Sequence, residues 1–282
     1  MLEYENRLPT EGINVSEDKP LKEFFILIAG FAAVIAIVVL LLSLVAGRLV
    51  RFIPFETELR LSEKALSTSS IEIPQLSPQQ QEVEVYLQAL ADKLAIAQVL
   101  PDGMTITVHY IDDDTVNAFA TLGGHVVMFR GLVEQLPHEN ALAMVMAHEI
   151  AHIKHRDPLV AVGRGLTVGL ALVSIAGMGD SGVASMFFGQ VGLMTALNFS
   201  RQQETAADEE AVQTLLRQYG HVLGAEVLFE VLQDNSESLE PPVFLSTHPV
   251  TEKRIEALAA YKAASITRGK ITPLPEILRS DD

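Results

Sequence analysis

The chain has 282 residues, 49% of them hydrophobic and 20% charged, with no cysteine, no tryptophan and a formal net charge of −16. That composition excludes a disordered chain, a disulfide scaffold, a thiolate metal site and a cysteine nucleophile, and the acidity argues against a nucleic-acid partner, which would need a basic face for phosphates. A mean hydropathy of +0.27 beside so much negative charge implies that the apolar residues are segregated along the chain.

Residues 1–23 form an acidic tail with six acids and three bases, and Phe24 to Ala46 follows as 23 residues without a charge. As a helix this run would span roughly 34 Å, enough to cross the ~30 Å hydrocarbon core of a bilayer. It is too long for a signal-peptide apolar region, and Gly47, Arg48 and Arg51 follow it in place of a small-residue cleavage site. Residues 24–46 therefore read as a transmembrane anchor in contact with membrane lipid. Lys19 and Lys22 before it nearly cancel Arg48 and Arg51 after it in the positive-inside rule, so the side faced by the rest of the chain stays open.

Residues 47–77 read as a linker, with Pro54 to Ser77 polar and Ser-rich towards its end. Ser77-Pro78 predicts an N-cap and first-turn proline for a helix to about Gln98, with Val83, Leu87, Leu90, Leu94 and Ala97 as its apolar stripe. Met104 to Tyr110 alternates as a strand, and the acids 112–114 break it. Asn117 to Ala120 is a second short strand leading to Gly123-Gly124, and His125 to Phe129 is a third. From about Pro137 to Tyr261 the pattern is almost entirely helical, with breaks near Pro158, at 177–182 and at 240–248. Between Leu159 and Phe199 only Arg164 and Asp180 are charged and eight residues are glycine. Two membrane spans or a buried or membrane-skimming helical hairpin would both produce this. The hairpin is favoured, because Leu166 to Met178 is short for a span and Gln190 and Asn198 interrupt the second run. The expected fold class is α+β and predominantly helical with a small sheet, its domain at 78–265 and a C-terminal tail at 266–282.

The chemistry centres on His148-Glu149-Ile150-Ala151-His152, set among Leu142, Val145, Met146, Ile150 and Ile153 at helical spacing. Residues four apart lie one turn apart on the same helix face, so two imidazoles can reach one zinc ion at about 2.0–2.1 Å each. Glu149, beside the first ligand, is placed to take a proton from a zinc-bound water, which is the mechanical content of H-E-x-x-H. A metzincin continuation would need glycine at 155 and histidine at 158, where this chain has His155 and Pro158. A gluzincin needs an acid on a later helix, and Glu204, 52 residues after His152, supplies one, with Asp208 on the same helix face to orient a ligating histidine. An E-x-x-x-D pair is ordinarily a solvated face; Ala206, Ala207 and Ala211 let this helix pack closely against another.

Taken together, the blocks Asn117-Ala118-Phe119 with Gly123-Gly124, His148 to His152, Ser200-Arg201 with Glu204 and Asp208, and Thr247-His248-Pro249 with Arg254 resemble the membrane-associated gluzincin metallopeptidases of the HtpX-like and CAAX-prenyl-protease-like family. The resemblance covers roughly residues 80 to 261. It implies a zincin-type domain holding one Zn2+ per chain through His148, His152 and Glu204, with Glu149 as general base in the hydrolysis of peptide bonds by a zinc-activated water. It also implies Asp208 and Arg201 as supports behind the ligands. His248 becomes the candidate donor to the tetrahedral oxyanion, the alternatives being a helix cap or a fourth zinc ligand that holds the enzyme latent. Asn117, Ala118, Phe119, Gly123 and Gly124 become candidate substrate contacts, a strand edge that pairs with an extended peptide and glycines that admit its backbone.

The expected function is a membrane-anchored zinc endopeptidase of a bacterial-type cell membrane, acting on unfolded or misfolded proteins or peptides. A homo-oligomer or membrane-protein partner is left open. The competing function is a membrane-tethered chaperone or scaffold using the same fold without proteolysis; the intact Glu149 argues against it, because a structural metal site has no use for a base there. A prenyl-protein processor would want more membrane spans around the site.

Overall fold

The computed structural model describes residues 19–68, 76–165, 199–234, 242–249, 251–264 and 269–278. The chain divides into two units, Met1–Leu42 and Ser43–Asp282. Helix α1, Pro20–Leu49, supplies the described part of the first unit. Its apolar side chains, among them Phe24, Phe25, Leu27 and Phe31, are exposed, and by length and composition it is able to cross a membrane.

The second unit opens on the end of α1, a 3-10 turn at Val50–Phe52, and α2, Phe55–Thr68. α2 lies within the segment that reads as a linker. Among its described side chains the buried ones are Phe55, Glu58 and Ser62, spaced along one helix face. Two of the three are polar, which is why hydropathy alone reads a tether there. Helix α3, Pro78–Gln98, begins as its sequence predicts: Ser77 Oγ accepts from the Gln80 N–H and Gln80 Oε1 accepts from the Ser77 N–H, a reciprocal cap.

Strands β1 (Thr107–Ile111), β2 (Ala118–Thr121) and β3 (His125–Phe129) form one sheet in the order β1-β3-β2. β1 runs parallel to β3, and β2 antiparallel with Phe119 opposite Val127. β1 starts at Thr107 rather than Met104 because the Met104 N–H closes a turn onto the Pro101 carbonyl at 3.1 Å. Alternation sends Val108, Tyr110, Ala118, Ala120, Val126 and Met128 into the main core and Phe119, Val127 and Phe129 onto the opposite face with Ala161 and Phe199. Among the described strands β2 lies at an edge of the sheet, and it packs on the helix that carries the histidine motif.

After α4, Arg130–Gln135, that motif helix is α5, Glu139–His155, buried from Asn140 through Ile153. Enclosure on every side makes it the central element of the core, packed on α3 and on α6, Arg201–Tyr219. α5 ends at Arg156 in the left-handed conformation (φ 63°), and residues 157–165 are helical again. The expected break therefore falls at Arg156, while Pro158 sits in the first turn of the next helix, where its missing N–H has no partner to lose. α6 is capped by Ser200 and Gln203 and closed by Gly220 (φ 75°). α7 (Val227–Asp234), α8 (Val243–Thr247) and α9 (Glu252–Ala264) follow, α8 falling inside the expected break at 240–248. A final stretch at 269–278 returns to α5, where the Thr272 carbonyl accepts from the Glu139 N–H and Asn140 Oδ1 accepts from the Thr272 N–H. Of the hairpin expected at 159–199, residues 166–198 lie outside the described residues, and with them the break at 177–182.

The architecture is thus α+β and mostly helical, with a three-stranded sheet and an apolar N-terminal helix.

Candidate metal centre

α5 presents His148 and His152 one turn apart, with Nε2 atoms 3.1 Å from each other. Glu204 reaches the same point from the first turn of α6, its Oε1 3.5 Å from His152 Nε2 and its Oε2 3.5 Å from His148 Nε2. His248, at the C-terminal cap of α8, adds Nδ1 at 3.1 Å from Glu204 Oε1 and 3.3 Å from His148 Nε2. One donor atom from each of these four buried residues lies within 4.8 Å of all the others. All four donors are nitrogen or oxygen, a set suited to zinc.

Each motif histidine is held from behind. His152 Nδ1 lies 2.9 Å from Asp157 Oδ2, and His148 Nδ1 lies 3.0 Å from Asp208 Oδ1. A carboxylate on Nδ1 fixes the tautomer that leaves Nε2 for a metal. Arg254 ties the acids together: its Nε and Nη2 donate to the two oxygens of Asp208 at 2.6 and 2.8 Å, its Nη1 lies 2.9 Å from Glu204 Oε2 and donates to the Pro249 carbonyl at 3.0 Å. Gln203 Nε2 donates to the remaining Asp157 oxygen at 2.6 Å. Phe199 stacks on His152 with ring centroids 4.1 Å apart, and Phe244 stacks on His248 at 4.5 Å.

The electrostatics favour a cation. Burial works against ionisation of Glu204, but His148 and His248 outweigh it and hold its carboxyl well below the usual range. Asp208 is likewise lowered against its burial, chiefly by Arg254 and then His148. Burial opposes charge on His148 too, yet Asp208 and Glu204 hold its pKa above the ordinary imidazole value; a cation at Nε2 satisfies the same pull. Both oxygens of Glu149 and Nε2 of His248 are buried without a hydrogen-bond partner, while Oε2 of Glu204 has ion-pair contacts with Arg254 and His148. Such atoms are costly unless an ion or water completes them, so the residues present fit a bound zinc ion.

Glu149 is fully buried, its Oε1 3.5 Å from His248 Nε2. The His248 ring therefore directs Nδ1 at the ligand cluster and Nε2 at the expected base. Arg201 is exposed and lines a cavity of about 620 Å3 beside Glu204; the guanidinium that reaches Glu204 and Asp208 is that of Arg254. Asn117, just before β2, and Ala118 and Phe119 at its start are all buried. Gly123 and Gly124 are buried with φ +79° each, and the positions their Cβ atoms would occupy fall 2.7 Å from Ser62 Cβ and 2.0 Å from the Thr105 carbonyl oxygen. The close approach those glycines permit is used by the chain's own α2 and Thr105, not by an open groove. His155 is the last residue of α5 and half-buried.

Sequence reasoning missed Asp157, Phe199 and Phe244. Asp157 had a signal, an acid just past the motif helix and five residues after His152. The two rings carried none beyond hydrophobicity.

A profile of peptidase family M48 matches residues 78–262. The chain is 33% identical over 159 residues to the beta-barrel assembly-enhancing protease of Escherichia coli K12, covering 51% of this chain and 32% of that protein. It is 32% identical over 157 residues to the mitochondrial metalloendopeptidase OMA1 of Schizosaccharomyces pombe, covering 55% and 46%. Against a protease HtpX homolog of Dictyoglomus thermophilum it is 30% identical over 221 residues, covering 61% and 68%. The match spans less than half the length of the first two relatives.

Proposed function

The chain belongs to peptidase family M48, a family of zinc-dependent metallopeptidases, and from that premise we propose that it is a membrane-anchored endopeptidase acting on unfolded or misfolded protein chains. His148, His152 and Glu204 would hold the ion, with Asp208 and Asp157 fixing the two imidazoles. Once bound, zinc supplies Lewis acidity, polarising the scissile carbonyl and lowering the pKa of water. Glu149 accepts the proton of the attacking water on its carboxylate and passes it to the leaving amide nitrogen. A substrate strand would pair with the edge of β2 that no described strand occupies; β2 packs on α5.

The observation that carries this reading is the Glu149 carboxylate, fully buried one residue from His148 with neither oxygen hydrogen-bonded. A purely structural metal site has no reason to bury an unpartnered carboxylate there. The test is cleavage of unfolded casein by the full chain in detergent, with a chelator and with added zinc. Activity lost with the metal and lost in Glu149→Gln supports proteolysis. Equal cleavage by both forms refutes the mechanism, and a zinc-loaded chain that cleaves nothing while keeping casein soluble favours the chaperone or scaffold alternative.

His248 admits two roles, and its position favours one. With Nδ1 beside Glu204 and His148 and Nε2 beside Glu149, it sits where a fourth ligand would, and all five side chains of the centre are closed to solvent. We read this as a latent arrangement, in which His248 must withdraw before substrate enters. His248→Ala should then cleave casein faster than the wild type. A loss of rate instead assigns His248 to oxyanion stabilisation.

A further inference from the structure

The family match begins at residue 78, but the side chains that frame the metal centre do not. Glu58, on α2, is a carboxylate only 2% exposed. Its Oε1 accepts from the Gly123 N–H at 2.9 Å and its Oε2 from Arg156 Nε at 2.7 Å. Arg156 is further held by donation from Nη2 to the Ile53 carbonyl at 3.0 Å and by the Phe55 ring, whose centroid lies 5.7 Å from the guanidinium carbon. Every one of these partners of Arg156 lies between the end of α1 and the first turns of α2.

Arg156 is the residue whose left-handed backbone ends α5. That turn brings the next residue, Asp157, back to His152 Nδ1. On its other side Glu58 grips Gly123, in the turn that directly follows β2. One buried carboxylate thus joins the end of the histidine helix to the end of β2, the strand on which the proposed function seats a peptide.

We propose that Glu58 is a positioning residue for the metal centre: through Arg156 it fixes the carboxylate that orients His152, and through Gly123 it fixes the end of β2. The catalytic unit then includes the helix that follows the membrane anchor. This rests on the reading of His148, His152 and Glu204 as zinc ligands. Removing one member of a buried ion pair leaves the other charged and unpaired, so the guanidinium would leave its seat and Asp157 would lose its fixed starting point. Outer partners of ligating histidines typically contribute 10–100-fold to metal affinity or activity.

The test uses the full chain in detergent, loaded with Co2+, as wild type, Glu58→Gln, Arg156→Gln and Arg156→Lys. Glu58→Gln keeps an oxygen for Gly123 and removes the charge that holds Arg156. Expected are a cobalt dissociation constant raised about 10–100-fold in Glu58→Gln and Arg156→Gln, displaced ligand-field bands, and a casein kcat reduced with KM little changed. Arg156→Lys, which keeps the charge, should restore the wild-type spectrum. If Glu58→Gln does not fold, Arg156→Gln, at a partly exposed position, carries the same comparison. Wild-type cobalt affinity and bands in both charge-removing variants, even with a lower Tm, overturn the proposal. The cobalt bands report on Glu58 whether or not the chain cleaves: a wild type that binds cobalt without cleaving contradicts the protease reading alone, and one that takes up no cobalt overturns both.

Discussion

At His148 and His152 the same atom faces a carboxylate from a different element: Asp157 is hydrogen-bonded to His152 Nδ1 at 2.9 Å, and Asp208 makes an ion-pair contact with His148 Nδ1 at 3.0 Å. Only one of these follows from helical spacing. Asp208 shares a helix face with Glu204, so spacing announced it; Asp157 acts because Arg156 turns the chain back, and no periodicity encodes that. Asp157→Asn should weaken zinc binding about 10–100-fold, read by competition with a chromophoric chelator, whereas unchanged affinity would remove Asp157 from the site. A second residue-scale feature lies far from the chemistry. Val99, a residue 71% exposed, caps α3 in the left-handed region (φ 55°), a conformation costing a residue other than glycine about 1–2 kcal/mol. Val99→Gly should raise stability by about 1 kcal/mol, visible as a higher Tm, and a lower Tm would contradict the assignment of strain.

Among the elements, α3, α5 and β3 follow from the sequence because their signals are local: a serine-proline start, an apolar helix around two histidines, an alternating run after two glycines. α2 does not, because its buried face carries Glu58 and Ser62, residues whose fitness for burial depends on Arg156, Gly123 and the missing glycine side chain. The glycine pair was legible as a close-approach site, but which backbone approaches is a tertiary matter. The sheet holds a pH signal of its own. His109 Nε2 and His125 Nδ1 lie 2.9 Å apart on neighbouring strands, and burial lowers both pKa values, with His109 lowering His125 further and Glu84 partly opposing the shift at His109. The unfolded chain binds protons at these rings near pH 6.5 while the folded chain resists them. Their contribution is therefore intact above about pH 6.5 and is lost as the pH falls below it. Replacing both with glutamine should flatten the fall in Tm between about pH 6.5 and 5; an unchanged pH slope would exclude the pair as its source.

For the whole molecule, the division at Leu42 separates an exposed apolar helix from a unit that contains every residue of the metal centre. Membrane attachment and catalysis are then expected to be separable, but not at the boundary of the family match. A chain lacking residues 1–42 should leave the membrane fraction on alkaline washing and keep its zinc. A chain lacking residues 1–68 loses Phe55, Glu58 and Ser62 from its core and should lose metal affinity as well. Equal zinc binding by the two truncated forms would mean that α2 serves attachment only.

The most direct measurement is the zinc content of the purified full chain beside Glu149→Gln and His152→Ala. The expected result is one zinc per chain in the wild type and in Glu149→Gln, little or none in His152→Ala, and casein cleavage in the wild type alone. A wild type that retains no zinc, or a His152→Ala form that retains all of it, would contradict a metal centre built on His148, His152 and Glu204.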